Sequence, residues 1–562
     1  MPVLAVTPSQ PEGLTEDDIR ELEHDFLGPT WQTDETGAWI LPERTLGWTI
    51  AAWCADYLAA EEPGPWRFTL EQLRFVLWWY AVDETGRFVY RKGVLQRMKG
   101  WGKDPLLAVL CLVEFVGPSR VARGVVNQVI WDEQGQPLGV AHPQAWVQVT
   151  AVNQSQTRNT MRLIPSLMTE KLISTYSIKD GKELIRANNG KQILEAATSS
   201  YRALEGGRTT FTLLNETHHW VSGNNGHDMY ATIDGNATKK DSRYLAITNA
   251  YLPGEDSVAE RMREAWQKIQ DGRAVDVGFL YDSVEANPLT PLTPEALAIV
   301  IPIIRGDAIW LRPETIIQSI LDTTLGPARS RRMWLNQVTA EEDAIYGPSD
   351  WKAIEDNDLA LFKGDEIVMG FDGGKTDDDT ALVAIRVRDF AIFVLGHWYK
   401  PDGPAGDNWQ VNKARVDSAV HAAFNTYEVV GFFADVALWE SHIDDWADTY
   451  GEKLKVKASE RHPIAWDMRQ SGEKPTRAHE RLMRSVFDGR IKHDGDPHMR
   501  RHALNAFRRE NKYGVSFGKE SRESPRKVDL YAALMLAHEA LHDLRTRKRP
   551  EKKKRTGRGI FL

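Results

Sequence analysis

Residues 96–104, QRMKGWGKD, combine glycine, lysine and aspartate in the manner of a turn that binds phosphate. Glycines allow backbone N–H groups to wrap an anion, and the N-terminus of a following helix adds positive potential. Lys103 would reach the terminal phosphates of a nucleotide, and Asp104 stands where the pattern G-x-x-x-x-G-K-[ST] has a magnesium ligand. The candidate nucleotide-binding residues of this segment are Arg97, Lys99, Gly100, Trp101, Gly102, Lys103 and Asp104.

The match to that pattern is imperfect at two positions. Arg97 stands at its first glycine, and Asp104 replaces the usual Ser or Thr. The alternative is a glycine-containing turn in which Asp104 only caps the next helix. This segment alone therefore leaves both interpretations open.

Polar residues elsewhere in the first half favour the nucleotide interpretation. The apolar run TTFTLL is followed by Asn215 and Glu216, and nucleotide hydrolases hold Mg²⁺ and position water at such strand ends. We predict that Glu216 is the general base, although it could be a simply solvated carboxylate. Thr248, which ends the run RYLAIT, and Asn249, which follows it, suit a sensor of hydrolysis. Gln72, on a helix before the loop, could read adenine or lie on the surface.

Three aspartates in the second half are spaced for a metal-dependent nuclease. Asp372 ends EIVMGFD, Asp435 ends VVGFFAD, and Asp529 begins the helix-type run DLYAALMLAHEAL. Carboxylates from strand ends and one helix can hold two divalent ions about 3.5–4 Å apart, and oxygen ligands suit Mg²⁺ or Mn²⁺. Asp379 is a further metal ligand or a structural cap. Any one of these aspartates could instead end a strand or favour a helix N-terminus.

The elements that carry these residues predict an α/β protein. A chain of 562 residues, 42% of them hydrophobic, is long enough for two large domains. Strands and helices alternate in the first half, as in a parallel sheet of βαβ units, and residues 256–330 are expected to be mostly helical. The second half has three consecutive strands, a helix and a fourth strand, which is the order of an RNase H-like domain. Its strands are expected at 366–372, 380–388, 390–399 and 429–435, and its helices at 412–427, 475–488, 498–510 and 527–543.

Charge and bulk composition bear on the partners of the protein. The net charge of −9 counts mildly against nucleic acid. Residues 490–527 are nevertheless basic, and Arg500, Arg501, Arg508 and Arg509 are predicted to share one side of a helix, where they could track DNA phosphates or form a solvated face. Two separate cysteines, with no membrane span and no signal peptide, predict a cytosolic protein.

The order of these features resembles the large subunit of tailed-bacteriophage terminases. The resemblance rests on KGWGKD, AWVQVTAVNQSQ, EGGRTTFTLLNETHHW, the two strand-end aspartates and Lys527-Val528-Asp529. It implies a P-loop ATPase domain of the additional-strand, RecA-like type and an RNase H-like nuclease domain. The implied segments are an N-terminal arm (1–64), the ATPase domain (65–330), a linker (331–362), the nuclease domain (363–545) and a basic tail (546–562).

The same resemblance implies activity, cofactors and partners. The protein would use ATP to drive viral double-stranded DNA into a procapsid and would cleave the concatemer, with Mg²⁺ or Mn²⁺ at both sites. It would act with the portal protein, the terminase small subunit and further copies of itself in a ring. Arg158 or Arg202 would complete a neighbouring ATP site. The expected location is the host bacterial cytoplasm, transiently at the portal vertex, and not the mature virion.

Two departures from the family pattern face the same cation. The family usually has Ser or Thr at the position of Asp104 and Asp at that of Asn215. We hypothesise an exchange that keeps one carboxylate and one neutral oxygen ligand; the alternative is a weakened site.

Other functions fit part of the sequence. These are a translocase or helicase-like ATPase without nuclease activity, an RNase H-like recombinase with a degenerate P-loop, and a structural capsid-associated protein with both sites inactive.

Overall fold

The computed structural model describes residues 15–546 except 61–62, 182, 199–206, 241, 323–325, 342, 375–377, 402–405, 407, 469–471, 520–523 and 525. Two compact units divide between residues 342 and 343, a point inside the segment predicted to be a linker. Arg202, the first fourteen residues of the predicted arm and the predicted tail after residue 546 lie outside the described residues.

The N-terminal unit is built around an eight-stranded sheet, with a separate two-stranded ribbon formed by β3 and β4. The strands of this unit are β1 (Asp25–Leu27), β2 (Lys92–Gln96), β3 (Arg120–Val121), β4 (Gly139–Val140), β5 (Trp146–Ala151), β6 (Leu184–Ala187), β7 (Gln192–Thr198), β8 (Phe211–Leu214), β9 (Arg243–Thr248) and β10 (Phe279–Glu285). The helices are α1 (Glu16–Arg20), α2 (Gly47–Tyr57), α3 (Leu70–Trp79), α4 (Lys103–Val116), α5 (Gln154–Leu167), α6 (Glu170–Thr175), α7 (Gly226–Lys240), α8 (Val258–Gln270), α9 (Pro294–Arg305), α10 (Pro313–Leu321) and α11 (Pro327–Trp334).

The strand order explains why distant segments share one site. The sheet runs β1-β10-β2-β9-β8-β5-β7-β6, and its six inner strands are parallel. Strand β9 lies between β2, which precedes the phosphate-loop segment, and β8, which precedes Asn215 and Glu216. Since all three strands end at the same edge, the polar residues after them converge there. This topology confirms the predicted parallel-sheet fold of the additional-strand, RecA-like type for the first domain.

Helix α4 follows the phosphate-loop segment, and from Leu106 to Val116 all its residues except Glu114 are apolar. Every residue from Leu106 to Val116 is buried, as expected for a helix without a polar face. Its position fixes the first turn, at Lys103, against the sheet edge.

The prediction for residues 256–330 is wrong at β10. Residues 279–285 form a fully buried strand beside β2. Polar residues such as Asp282 and Glu285 interrupt its apolar pattern and hide it in the sequence. They are tolerated in the core because they are paired, Asp282 with Arg97 and Glu285 with Arg263.

The C-terminal unit holds a five-stranded sheet and a separate hairpin, formed by β16 and β17. Its strands are β11 (Glu366–Gly373), β12 (Thr380–Arg386), β13 (Ala391–Trp398), β14 (Glu428–Ala434), β15 (Lys492–His493), β16 (Phe507–Asn511) and β17 (Gly514–Gly518). Its helices are α12 (Pro348–Lys352), α13 (Lys413–Thr426), α14 (Glu440–Tyr450), α15 (Glu473–Phe487), α16 (Pro497–Leu504) and α17 (Asp529–Thr546).

The connections in this sheet follow the predicted RNase H-like order. The strands lie in the order β14-β11-β12-β13-β15. The first three in sequence, β11, β12 and β13, form an antiparallel meander, and after α13 the chain returns as β14, parallel to β11. The predicted fold of the second domain is therefore confirmed.

A glycine lets α17 lie unusually close to β11. A Cβ atom on Gly370 would lie 1.9 Å from the carbonyl oxygen of Ala533 and 2.4 Å from the backbone nitrogen of Ala537. No side chain fits in that space. The close approach sets the position of Asp529, the first residue of α17, relative to the strand ends.

The predicted helix over 498–510 is only partly correct. Helix α16 ends at Leu504, and Arg508 and Arg509 lie on β16, paired with Phe517 and Ser516 of β17. The four arginines therefore do not share one helix face. In the hairpin, Arg508 and Arg509 are neighbours on a strand and point to opposite faces.

Among the described residues, no helix is long and apolar enough to cross a membrane.

Candidate functional site

The segment between β2 and α4 forms a tight loop at the sheet edge. Gly100 and Gly102 adopt left-handed backbone angles, with φ values of 80° and 94°, which other residue types adopt at a cost. Gly102 is the N-cap of α4, and Lys103 is the first residue of the helix. The predicted glycine-rich turn is thus followed directly by a helix N-terminus, the arrangement that binds phosphate.

Lys103 points back into this loop and links it to the end of β9. Its Nζ donates to the carbonyl oxygens of Arg97 and Met98, both at 2.9 Å, and to Oδ1 of Asn249 at 2.6 Å. Burial lowers the pKa of Lys103 to about 7, although the charges of Asp104 and Glu216 oppose this shift. Lys103 is therefore within reach of the predicted sensor residue Asn249 and both carboxylates.

Arg97 and Trp101 support the loop from the protein side. The buried guanidinium of Arg97 forms an ion pair with Asp282 of β10 and lies over the Trp101 ring, 5.1 Å from its centroid. Removing one partner of a buried ion pair typically costs about 3–5 kcal/mol. The side chain of Arg97, at the pattern's first glycine, is therefore a buried support for the loop. Lys99 is exposed, and its backbone N–H donates to the Met333 carbonyl at 2.8 Å.

Asn215 and Glu216 follow β8, at the sheet edge where the loop follows β2. Asn215 Nδ2 donates to the carbonyl oxygen of Gln156 at 3.3 Å and to Thr160 Oγ1 at 3.2 Å. These two bonds fix the orientation of the amide. Asn215 Oδ1 is buried and has no hydrogen-bond partner within the part of the chain that the structure describes. An oxygen left open in this way fits a ligand for Mg²⁺.

The Glu216 carboxylate is held in place by one strong contact. Gln156 Nε2 donates to Glu216 Oε2 at 2.6 Å. Glu216 itself has a left-handed backbone, with φ of 53°, a strained conformation of the kind that concentrates at functional sites. Desolvation raises the pKa of Asp104, the charge of Lys103 lowers it, and the charge of Glu216 raises it. The predicted ligand, base and lysine therefore share one electrostatic environment.

Gln72 lies at the start of α3, beside the loop. Thr69 and Gln72 form a capping box, in which the Thr69 N–H donates to Gln72 Oε1 at 3.2 Å. The Gln72 Nε2 atom lies 3.6 Å from the position that a Cβ on Gly102 would take. The predicted adenine-reading residue is therefore next to the phosphate loop.

The predicted nuclease acids meet at the ends of two paired strands. Phe371 of β11 pairs with Ala434 of β14, so the next residues, Asp372 and Asp435, are neighbours. The Asp435 N–H donates to the Phe371 carbonyl at 2.9 Å. Asp529 reaches the same place from α17, and its buried Oδ2 atom has no hydrogen-bond partner among the described residues. The structure thus brings Asp372, Asp435 and Asp529 together.

The electrostatics of this acidic cluster favour a bound cation. Burial raises the pKa of Asp372 well above its usual value, and the charges of Asp529 and Asp435 raise it further. Burial likewise raises the pKa of Asp529 to about 7, with Asp379 and Asp378 contributing. Like charges in a low-dielectric site are costly unless a cation or a proton neutralises them. The oxygen-only ligands fit Mg²⁺ or Mn²⁺.

Metal binding at this cluster should depend strongly on pH. A divalent ion must displace the protons held by the cluster, and a single carboxyl with a pKa of about 7 is mostly protonated at pH 6 and mostly ionised at pH 8. We expect the Mn²⁺ affinity to rise roughly tenfold over this range for each proton released. Calorimetric titration at the two pH values, in buffers of different ionisation enthalpy, measures both affinity and proton release. An affinity independent of pH would contradict this electrostatic picture.

Asp379 forms a separate cluster with two histidines that the sequence reasoning missed. His397 Nε2 lies 2.7 Å and His502 Nε2 lies 3.4 Å from Asp379 Oδ2, and the possible ligand atoms all lie within 4.8 Å of one another. Although burial acts to raise it, hydrogen bonds from both histidines hold the pKa of Asp379 well below its usual value. This geometry could serve either a metal ion or a hydrogen-bonded support.

The second contact of His502 favours a structural role for this cluster, as a hydrogen-bonded support, over metal binding. Its Nδ1 accepts from the Leu530 N–H at 3.0 Å, and burial lowers its pKa to about 4, so the neutral ring carries its proton on Nε2. That proton faces Asp379, where a metal ion would need a free lone pair. The cluster therefore connects the start of β12 to the first turn of α17, next to Asp529. The two histidines are distant in sequence and follow no ligand spacing, so no pattern could reveal them.

Two lysines also border the acidic cluster. Lys519 and Lys527 both pair with Asp378, the latter at 3.4 Å, and the charge of Lys519 opposes the upward pKa shifts of Asp372 and Asp529.

Of the two proposed trans-acting arginines, only Arg158 is described, exposed on α5.

Comparison with known proteins gives close relatives and a set of similar structures. No protein-family model matches the chain. The Gene 13 proteins of Mycobacterium phages D29 and L5 are each 39% identical to it, over 96% of this chain and 97% of theirs. The crystal structure of the HK97 bacteriophage large terminase is similar over 88% of this chain and 99% of that chain, with 15% identity and a TM-score of 0.45.

Proposed function

We propose that this chain, which belongs to the same family as the Gene 13 proteins of Mycobacterium phages D29 and L5, is the large subunit of a phage terminase. In this role it hydrolyses ATP to drive viral double-stranded DNA into a procapsid and cleaves the DNA concatemer. The observation that carries the proposal is the presence of two distinct sites in one chain. One unit has a phosphate loop facing Glu216, and the other has the converging carboxylates of Asp372, Asp435 and Asp529.

Each residue of the nucleotide site has a role that its contacts support. The loop N–H groups and the α4 N-terminus bind the phosphates, and Lys103 exchanges its carbonyl acceptors for phosphate oxygens. Glu216, held by Gln156, accepts the proton of the attacking water. Asp104 and Asn215 Oδ1 would hold Mg²⁺, which neutralises phosphate charge when bound. Asn249 would report the change at Lys103 to β9.

The nuclease residues act on a phosphodiester in the DNA backbone. Asp372, Asp435 and Asp529 would hold two Mg²⁺ or Mn²⁺ ions, which when bound stabilise the attacking and leaving oxygens. Asp379, through His502, holds the first turn of α17 and so keeps Asp529 oriented. Lys519 adds positive charge at the edge of the cluster, where the DNA phosphates approach.

The partners follow from the packaging role. They are viral double-stranded DNA, the portal protein of the procapsid, the terminase small subunit and further copies of the chain in a ring. An arginine from a neighbouring copy would complete each ATP site, and exposed Arg158 is the candidate within the described residues. The protein would act in the host bacterial cytoplasm and at the portal vertex, and would be absent from the mature virion.

The Asp104–Asn215 exchange can be tested with three variants. We expect Asp104→Ser and Asn215→Asp each to lower ATP hydrolysis on the order of 100-fold, because each changes the charge around Mg²⁺. The double variant restores that charge and should recover at least tenfold over the worse single variant. Full recovery is not expected, since a carboxylate at position 215 cannot donate to the Gln156 carbonyl.

Steady-state ATP hydrolysis measures this effect, and thermal unfolding of each variant serves as the control for folding. A double variant no better than the worse single variant would show that the two positions do not share a cation.

The proposed function itself is tested with the unmodified full-length protein. It requires both DNA-stimulated ATP hydrolysis and Mn²⁺-dependent cleavage of plasmid DNA. Hydrolysis alone would favour a translocase or helicase-like ATPase, and cleavage alone would favour an RNase H-like recombinase. If neither activity were found, a structural capsid-associated protein would be the better description.

A further inference from the structure

Trp310 lies directly against the phosphate loop, in the segment that follows α9. Its Nε1 donates to the Gly100 carbonyl at 2.9 Å. A Cβ atom on Gly102 would lie 2.8 Å from the edge of the Trp310 ring. The glycine at position 102 thus accommodates the indole as well as the left-handed turn.

Much of this indole remains open to solvent. Trp310 is 50% exposed, although its one polar atom is already paired with the loop. An aromatic ring held by its polar edge, with its apolar surface free, is suited to stacking a flat ligand. A tryptophan that served only to pack against the loop would be expected to be more deeply buried.

A second side chain makes this location suitable for the base of a nucleotide. Gln72 Nε2 lies 3.6 Å from the same Cβ position on Gly102, so an amide and an aromatic ring converge on one residue. Small-molecule sites typically combine an apolar surface with a few such polar groups. One ribose joins the base of a nucleotide to its phosphates. When the phosphates occupy the loop, the base must therefore lie beside the loop.

Glu71 fixes the Trp310 segment to the loop. The Glu71 N–H donates to Asp307 Oδ2 at 2.9 Å, and Glu71 Oε1 accepts from the Asp307 N–H at 3.2 Å. Glu71 Oε2 accepts from Trp101 Nε1 of the loop at 3.3 Å. The ring is therefore held in place before any ligand arrives, which reduces the entropy cost of binding.

We propose that Trp310 is the stacking surface for the base of the bound nucleoside triphosphate, with Gln72 at the base's polar edge. This inference rests on the proposed ATPase function and adds a positioning residue that lies outside the phosphate loop. Stacking on an aromatic side chain depends on the base and not on the phosphates. The contribution of Trp310 can therefore be distinguished from that of Lys103, which contacts the phosphates.

The test compares ATP with inorganic tripolyphosphate, which has the phosphates but no base. Both are titrated calorimetrically, with Mg²⁺, into the full-length protein, Trp310→Ala and Trp310→Phe. Stacking of one base is commonly worth about 1–3 kcal/mol, so Trp310→Ala should weaken ATP binding at least about tenfold. Tripolyphosphate affinity should stay within about twofold. Trp310→Phe, which keeps a ring but loses the bond to Gly100, should stay within about threefold of the unmodified protein for ATP.

Trp48 provides a matched control, since it is 45% exposed on α2 and Trp48→Ala should change neither affinity. The inference is overturned if Trp310→Ala binds ATP normally, if it loses ATP and tripolyphosphate equally, or if it binds both more tightly. The last two results would mean that Trp310 only shapes or covers the loop. If the unmodified protein bound neither ligand, the proposed ATPase function would fail, and this inference with it.

Discussion

Replacement of Asp529 by Asn should abolish DNA cleavage by the full-length protein and leave ATP hydrolysis within about twofold of normal. The change keeps the shape of the side chain but removes one negative charge from the cluster that we propose holds the cations. Asp529 Oδ2 is buried without a hydrogen-bond partner among the described residues, which fits an atom that binds a cation. We expect the cleavage rate to fall on the order of 1000-fold, equivalent to about 4 kcal/mol of transition-state stabilisation.

Plasmid nicking and linearisation in Mn²⁺ measure this effect. Asp543→Asn is the matched control, because Asp543 lies at the far end of the same helix. Its cleavage rate should be normal. Substantial cleavage by Asp529→Asn, together with unchanged Mn²⁺ affinity, would exclude Asp529 as a metal ligand and leave it a helix-capping residue.

Replacement of Glu216 by Gln should have a similarly large effect on the other activity. An amide cannot accept the proton of the attacking water, so ATP hydrolysis should fall on the order of 1000-fold. ATP affinity should be unchanged or higher, because glutamine can still accept from Gln156 Nε2 and removes a negative charge near the phosphates. DNA cleavage without ATP should be unaffected.

Phosphate release under single-turnover conditions measures hydrolysis, and calorimetry measures ATP binding. Glu133→Gln, at an exposed turn, is the control for loss of a carboxylate. If Glu216→Gln hydrolysed ATP normally, another group would have to be the base. Gln156 contacts Glu216 directly, but its amide cannot accept the proton in place of the Glu216 carboxylate.

The sequence predicts well where strands end and polar residues follow them, because apolar runs and the polar residues after them are local features. Strands β8 and β9 lie at the apolar runs that indicate them, and their parallel pairing in one sheet with β2 brings Lys103, Glu216 and Asn249 to one edge. The same logic joins Asp372 to Asp435. Only the close approach of α17 at Gly370, a contact distant in sequence, could bring Asp529 to them.

Pairing between distant polar residues could not be predicted. Strand β10 was missed because Asp282 reads as a surface residue until its partner, Arg97, is known. For the same reason Arg97 was predicted to bind nucleotide, whereas its side chain is committed to the core. The hairpin at Arg508 and Arg509 was missed because its short strands are polar and have no apolar alternation.

The contact at Gly370 has a consequence for how the proposed DNA cleavage can be lost. This residue carries no functional group, yet even a methyl group there must displace the backbone of α17. Among variants that lose the proposed DNA cleavage and keep the proposed ATP hydrolysis, changes at this chemically inert position are therefore expected. A search of such variants for lost acidic or basic side chains alone would not identify Gly370.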